Sequence, residues 1–153
     1  MQNNSRVAEI LNDLIQINRD RVEGYEKAIK ELEKGDTDLQ ALFREYAQQS
    51  RTFVSELTAE VSKTGEKTAT DTTVSGKIYR AWMDVKATFT RDDRKSTLES
   101  CEYGEDAAQK AYKEALSISS ALPADVAAIV SRQQTQLRKA HDNIKQQRDA
   151  HVH

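Results

Sequence analysis

The chain has 153 residues, which suits one domain with a single hydrophobic core. Apolar residues make up 37% and charged residues 31%, so the composition excludes a disordered chain and is typical of long amphipathic helices. The formal net charge of -2 comes from interspersed signs, which excludes an electrostatic footprint for nucleic acid. No run of about 18 apolar residues occurs, and the first residues lack a basic segment followed by an apolar one, so we expect neither a membrane-spanning helix nor a secretory signal. With one cysteine, Cys101, and no internal disulfide, we expect a cytoplasmic protein without nucleic-acid or membrane partners.

Four long helices are predicted in chain order. Leu, Ile, Val and aromatic residues recur every three or four positions along each of them, which gives each helix one apolar face. Thr37 and Gln40 form a predicted capping box at the start of the second helix. The link before it is so short that the first two helices must form an antiparallel hairpin. Pro123 suits the first turn of the last helix. The predicted helices cover about residues 5–34, 38–63, 92–117 and 123–149.

A long connection separates the second helix from the third. It contains a polar segment at 64–73, and then apolar positions around Trp82 that predict a short extra helix at about 75–89. A link of about 28 residues can carry the chain from one end of a bundle to the other, as the single crossover of ferritin-like bundles does. We therefore predict an all-α, ferritin-like four-helix bundle that forms one domain over residues 1–153. A flat series of helical hairpins with a surface excursion is the alternative.

Polar side chains occupy core-facing positions near the middle of every predicted helix. Glu105 interrupts the apolar face of the third helix, and Arg21 faces inward from the first. Because a buried charge is costly unless it is paired, these two residues are predicted partners. The whole buried polar layer is predicted to contain Asn18, Arg21, Tyr25, Ser50, Glu105 and Gln133.

A metal site with fewer ligands than a ferritin-like centre is the alternative interpretation of the same region. Its candidate ligands are Glu105, Glu102, His141 and Glu56, since carboxylate oxygens and imidazole nitrogens suit iron and manganese. Ferritin-like di-metal centres also need a histidine three residues after a glutamate on two helices, and this chain has no Glu-x-x-His. An inward Arg21 would also repel a divalent cation. We therefore expect no cofactor, with a divalent metal such as iron as the alternative.

Four segments of the sequence resemble a known protein family, and the similarity covers nearly the whole chain. They are LNDLIQINRDRVEGYEKAI in the first helix, LFREYAQQSRTFVSEL in the second, SGKIYRAWMDVK in the crossover and CEYGEDAAQKAYKEAL in the third. Together they resemble a bacterial family of uncharacterised, ferritin-like four-helix-bundle proteins. The resemblance implies a ferritin-like bundle with a domain of unknown function, and it implies no activity. The metal ligands of ferritin and rubrerythrin are not carried over, because the matching Glu-x-x-His positions are missing.

Two functional hypotheses follow from these observations. The first is a non-enzymatic bundle with a stress-associated or protein-interaction role, because the inward polar layer is poor in metal ligands and the outer helix faces are heavily charged. Those charged faces also suit a homo-oligomer. The second is a metal-binding (iron, manganese or zinc) or oxidase-like bundle with a non-standard site. Cys101 lies on the apolar face without a supporting histidine, so it is predicted to be a packing residue and not a nucleophile.

Overall fold

Four helices account for nearly all of the residues that the computed structural model describes, which are 2–32, 36–67, 94–118 and 122–150. No strand occurs within these ranges, so the chain is the all-α four-helix bundle that the sequence predicts. The predicted crossover helix at 75–89 lies outside the described residues. In chain order the helices are α1, Gln2–Glu31; α2, Thr37–Thr64; α3, Arg94–Ser117; and α4, Ala124–Ala150.

The helices close around one core. Contacts join α1 to both α2 and α3, and α4 to both α3 and α2. Along α1, Asn18 meets Tyr112 and Arg21 meets Glu105, so α1 and α3 are antiparallel. Since α2 is antiparallel to α1 as well, α2 and α3 run in the same direction. The end of α2 and the start of α3 therefore lie at opposite ends of the bundle, and the flat hairpin series is wrong.

The start of α2 differs from its prediction. Asp36 is the N-cap residue, and its side chain makes no capping hydrogen bond. Thr37 is already helical, so the capping box predicted for Thr37 and Gln40 is wrong, and the Gln40 N–H instead donates to the Asp36 carbonyl at 3.0 Å. At the other end, Gly65 has a φ of 81°, a left-handed conformation that glycine adopts without strain.

The core combines a large apolar interior with a few polar side chains. Leu11, Leu57 and Leu137 are fully buried, and each contributes about 1.5–3 kcal/mol through removal from water. None of the helices among the described residues combines the length and the apolar character that crossing a bilayer requires. The polar residues buried within this core define the candidate functional site.

Asp13 on α1 supplies a first prediction about stability. Burial, followed by repulsion from Glu9, raises the pKa of Asp13 from 3.8 to about 6. A carboxyl group whose pKa is raised by folding stabilises the fold below its unfolded pKa, and that stability is lost as the pH rises through about 6. The side chain is only partly buried, so screening by solvent reduces the full effect of about 3 kcal/mol to about 1 kcal/mol.

Asp13→Asn is therefore expected to stabilise the protein by about 1 kcal/mol at pH 8 and to have almost no effect at pH 4. Urea unfolding of the variant and the wild type at both pH values measures this difference. Glu114→Gln, on the exposed face of α3, serves as the control and should change little at either pH. A stabilisation that is equal at pH 4 and pH 8 would exclude titration of Asp13 as its cause.

Candidate functional site

The centre of the bundle holds a buried ion pair between α1 and α3. Arg21 Nη2 lies 2.8 Å from Glu105 Oε2, and Arg21 Nε lies 3.1 Å from each carboxylate oxygen. Both side chains are 0% exposed. Hydrogen bonds between two charged groups in this forked geometry are among the strongest in proteins. They offset part of the large cost of removing both charges from water.

The rest of the Arg21 guanidinium is enclosed by α2. Its Nη1 donates to the Tyr46 carbonyl at 3.1 Å, to Gln49 Oε1 at 2.9 Å and to Ser50 Oγ at 2.8 Å. These three residues are spaced three and four apart, which places them on one face of α2. The Arg21 Cζ also lies 5.3 Å from the Tyr25 ring centroid and 5.4 Å from that of Tyr46. Both rings are close enough for cation–π attraction.

The groups around Glu105 keep their protons. The Tyr25 hydroxyl donates to Glu105 Oε2, and burial, with repulsion from Glu105, raises the pKa of Tyr25 well above its usual value. Burial lowers the pKa of Arg21, but the Glu105 carboxylate more than compensates and the pKa is raised. Burial and Glu105 likewise raise the pKa of the Cys101 thiol. Glu105 is therefore surrounded by a cation, a hydroxyl donor and a neutral thiol.

A chain of hydrogen bonds leads from the ion pair to the edge of the bundle. The Ser50 hydroxyl, which accepts from Arg21, donates to Asn18 Oδ1 at 2.9 Å. Asn18 Nδ2 donates to the Tyr112 hydroxyl at 2.8 Å, and Tyr112 donates to Gln133 Oε1 at 2.7 Å. Gln133 Nε2 finally donates to a carboxylate oxygen of Glu56 at 2.9 Å. Because all these donors point the same way, each bond polarises the next.

The chain of bonds ends at a partly exposed ion pair. Glu56 Oε2 lies 2.7 Å from Arg132 Nη2, and the two side chains are 31% and 48% exposed. The network from Glu105 to Glu56 thus takes side chains from all four helices. Any shift of one helix along its axis would break at least one of these bonds.

The Tyr112 hydroxyl makes two central hydrogen bonds of this network, and removing that hydroxyl supplies a second prediction. Tyr112→Phe leaves the buried amides of Asn18 and Gln133 without their shared partner, so the free energy of unfolding should fall by about 1–3 kcal/mol. Urea unfolding measures the loss. Tyr103→Phe is the matched control, because Tyr103 is 56% exposed, and its effect should stay within about 0.5 kcal/mol. Equal effects of the two variants would contradict the network.

The structure brings the predicted polar layer together. All six predicted residues are at most 1% exposed: Asn18, Arg21, Tyr25, Ser50, Glu105 and Gln133. Sequence reasoning missed Tyr112 and the carbonyl of Tyr46. Tyr112 follows Glu105 by seven residues, or two helical turns, and this spacing was the available signal for a shared face. The Tyr46 carbonyl belongs to the backbone, so no sequence pattern indicates it.

The four candidate metal ligands do not converge on one point. Glu105 takes part in the central ion pair, while Glu56 lies at the far end of the hydrogen-bond chain. Glu102 and His141 do lie together, and Asp106 joins them, so that one ligand atom of each lies within 4.8 Å of the other two. Sequence reasoning missed Asp106. The sequence feature that could have indicated Asp106 is its four-residue spacing from Glu102, which places both carboxylates on one side of α3.

Comparison with known proteins places the chain in a family. The family model of DUF2383, a domain of unknown function, matches residues 6–117. That match takes in most of α1 and all of α2 and α3. The chain belongs to the DUF2383 family. The family description gives DUF2383 no activity, and no curated protein matches this sequence. Any function of this DUF2383 chain must therefore be argued from its own residues.

Proposed function

We propose that this DUF2383 chain is a non-enzymatic four-helix bundle that acts by binding a protein partner, and that its charged centre holds the helices in register. The observation that carries the proposal is the position of Arg21. Its guanidinium fills the space beside Glu105 and donates on its other side to acceptors of α2. A metal bound by Glu105 would need that same space, and the fixed positive charge of Arg21 would repel it.

Acid–base or nucleophilic chemistry needs a group that can meet a substrate and exchange a proton with it. Glu105 is 0% exposed, and both of its oxygens accept hydrogen bonds within the bundle. The raised pKa of Cys101 keeps this buried thiol protonated, and a protonated thiol is a poor nucleophile. The buried polar groups therefore support a structural role.

Buried polar groups can select one packing arrangement among several apolar ones, and setting the register is their best-attested use. In this bundle, the network runs from Glu105 through Arg21 and Ser50 to Tyr112 and Gln133. Apolar side chains alone tolerate a slip of one helical turn, whereas these bonds do not. A unique register keeps the outer faces of the helices in fixed positions, and a binding surface requires that.

The groove between α3 and α4 is the surface that best suits a partner. Lys110, Lys113 and Arg138 line it together with Gln109 and Gln134. No ion pair joins its three cations to a carboxylate of the described residues. A row of unpaired positive charge in a groove attracts negatively charged segments and speeds their association. We infer that the partner presents an acidic segment.

A glutamate-rich peptide tests this partner chemistry. We expect the wild type to bind it with an affinity that falls as salt is added, and the variant Lys110→Glu, Lys113→Glu, Arg138→Glu to lose the binding. The matched control is Lys30→Glu, Arg44→Glu, which reverses charges in the groove between α1 and α2. Isothermal titration calorimetry measures the affinity of the peptide for the wild type and for both variants. Equal binding by the two variants would contradict the placement of the partner between α3 and α4.

Metal analysis tests the non-enzymatic part of the proposal. After incubation with iron, manganese or zinc, mass spectrometry should find the same metal content in the wild type and in Arg21→Met, Glu105→Leu, and neither protein should accelerate oxidation of Fe²⁺. The double variant is chosen because it removes the central charges as a pair and should remain folded. Stoichiometric metal that is lost in the double variant would overturn the proposal.

A further inference from the structure

A second cluster of ligand-type side chains lies outside the buried network, between α3 and α4. Glu102 and Asp106 are one turn apart on α3, and His141 faces them from α4. His141 Nε2 lies 2.6 Å from Asp106 Oδ1. The Glu102 and His141 side chains are 14% and 19% exposed, whereas Asp106 is 61% exposed. The cluster is therefore sheltered on the protein side and accessible from solvent.

The histidine of this cluster is held in one orientation. His141 Nδ1 lies 3.1 Å from Asp142 Oδ1, so a proton on Nδ1 is donated to that carboxylate. Nε2 lies 2.6 Å from Asp106 Oδ1, so without a cation it carries a proton that it donates to that carboxylate. A metal ion that displaces this proton meets the Nε2 lone pair. Histidines that bind metals are typically oriented in this way, with the second ring nitrogen donating to a carboxylate or carbonyl.

We propose that Glu102, Asp106 and His141 bind one divalent transition-metal ion of the Zn²⁺ type, with water on the solvent side. Two carboxylate oxygens and one imidazole nitrogen form a donor set that Zn²⁺ accepts, and three protein ligands with one open position are typical of accessible zinc sites. Ligand atoms with bonds of about 2.0–2.2 Å lie roughly 3.3–3.6 Å apart in a tetrahedral site. His141 Nε2 and Asp106 Oδ1, which are 2.6 Å apart, therefore need to separate by less than about 1 Å to hold an ion between them. The site shares no residue with the proposed partner groove or with the central ion pair.

Arg148 competes with the ion for one of the three ligands. Its Nη1 donates to Glu102 Oε1, and its Nη2 donates to Asp149 Oδ1 at 2.8 Å. Arg148 neutralises Glu102 as long as no cation is bound. When a cation binds, the guanidinium can leave Glu102 and keep its contact with Asp149. Removal of Arg148 should therefore tighten binding, an effect that a purely structural ion pair does not produce.

Calorimetric titration with zinc chloride tests the site. The full chain is used with His151→Gln and His153→Gln, because terminal histidines can bind Zn²⁺ by themselves. We expect one ion per chain in this background and no binding after His141→Gln. Asp142→Asn should weaken binding by about 10- to 100-fold, as loss of an orienting partner does. Arg148→Met should strengthen binding, since it frees Glu102 and removes a positive charge.

Two controls distinguish this site from nonspecific binding to surface carboxylates and from a metal at the bundle centre. Asp125→Asn removes an exposed carboxylate in the first turn of α4 and should leave the affinity unchanged. Arg21→Met, Glu105→Leu alters the bundle centre and should also leave the affinity unchanged. The inference is overturned if no Zn²⁺ binds, if His141→Gln binds it as the background does, or if Arg148→Met weakens the binding. Circular dichroism verifies that each variant is helical.

Discussion

Replacing Glu105 with glutamine is expected to lower the free energy of unfolding by about 3 kcal/mol or more, because it leaves the Arg21 charge buried without a counter-charge. The amide of glutamine can accept a hydrogen bond, but it cannot balance a guanidinium that holds its proton firmly. Without Glu105, burial lowers the pKa of Arg21, but the ordinary pKa of a guanidinium is so high that Arg21 stays charged at neutral pH. Urea unfolding followed by circular dichroism measures the loss as a shift of the midpoint at constant slope.

The exposed pair of Arg51 and Glu26 provides the matched control for this prediction. Its charged atoms lie 2.6 Å apart, but the side chains are 46% and 51% exposed. Surface pairs of this kind contribute about 0–1 kcal/mol, so Glu26→Gln should cost far less than Glu105→Gln. A near-zero effect of Glu105→Gln would mean that its carboxylate is hydrated, which contradicts its burial.

Removing both charges together is expected to restore most of the stability that the single change removes. Arg21→Met, Glu105→Leu replaces a costly buried pair by apolar side chains, and such replacements are often neutral or stabilising by about 1–4 kcal/mol. The double variant should therefore unfold at a higher urea concentration than Glu105→Gln. If it unfolds at the same concentration or lower, pairing of the two charges does not explain the loss in the single variant.

The double variant also leaves the Tyr25 hydroxyl without the acceptor that it has in the wild type. The Tyr25 hydroxyl donates to Glu105 in the wild type, and an orphaned buried hydroxyl costs about 1–3 kcal/mol. Adding Tyr25→Phe should recover that amount. In the wild-type background the same change should destabilise, because it removes a donor from a buried carboxylate. The opposite signs of Tyr25→Phe in the two backgrounds make this comparison specific for the proposed network.

Helical periodicity explains why the members of the central layer were predictable. An apolar face defines which residues point inward, so Arg21 and Glu105 could be recognised as buried charges on facing helices. A buried charge needs a partner of opposite charge, and the predicted core contains few other charged side chains that could serve. The same argument predicted the four-helix bundle, since four amphipathic faces of similar length need one common core.

Contacts between helices were harder to predict, because periodicity determines the face of a helix and not its axial position against a neighbour. Glu56 and Glu105 both counted as metal candidates, yet they lie at opposite ends of one hydrogen-bond chain. Tyr112 was hidden among apolar positions, because a buried tyrosine has the same periodicity as a leucine. Asp106 is largely exposed, so no argument from the core could single it out.

The central claim is that a guanidinium, and not a metal ion, accompanies Glu105 in the middle of the bundle. Anomalous scattering from crystals grown with Mn²⁺, Fe²⁺ or Zn²⁺ tests it most directly. We expect electron density for Arg21 within hydrogen-bonding distance of Glu105 and no anomalous peak beside that carboxylate, with any peak near His141. An anomalous peak within coordination distance of the Glu105 carboxylate would contradict this claim.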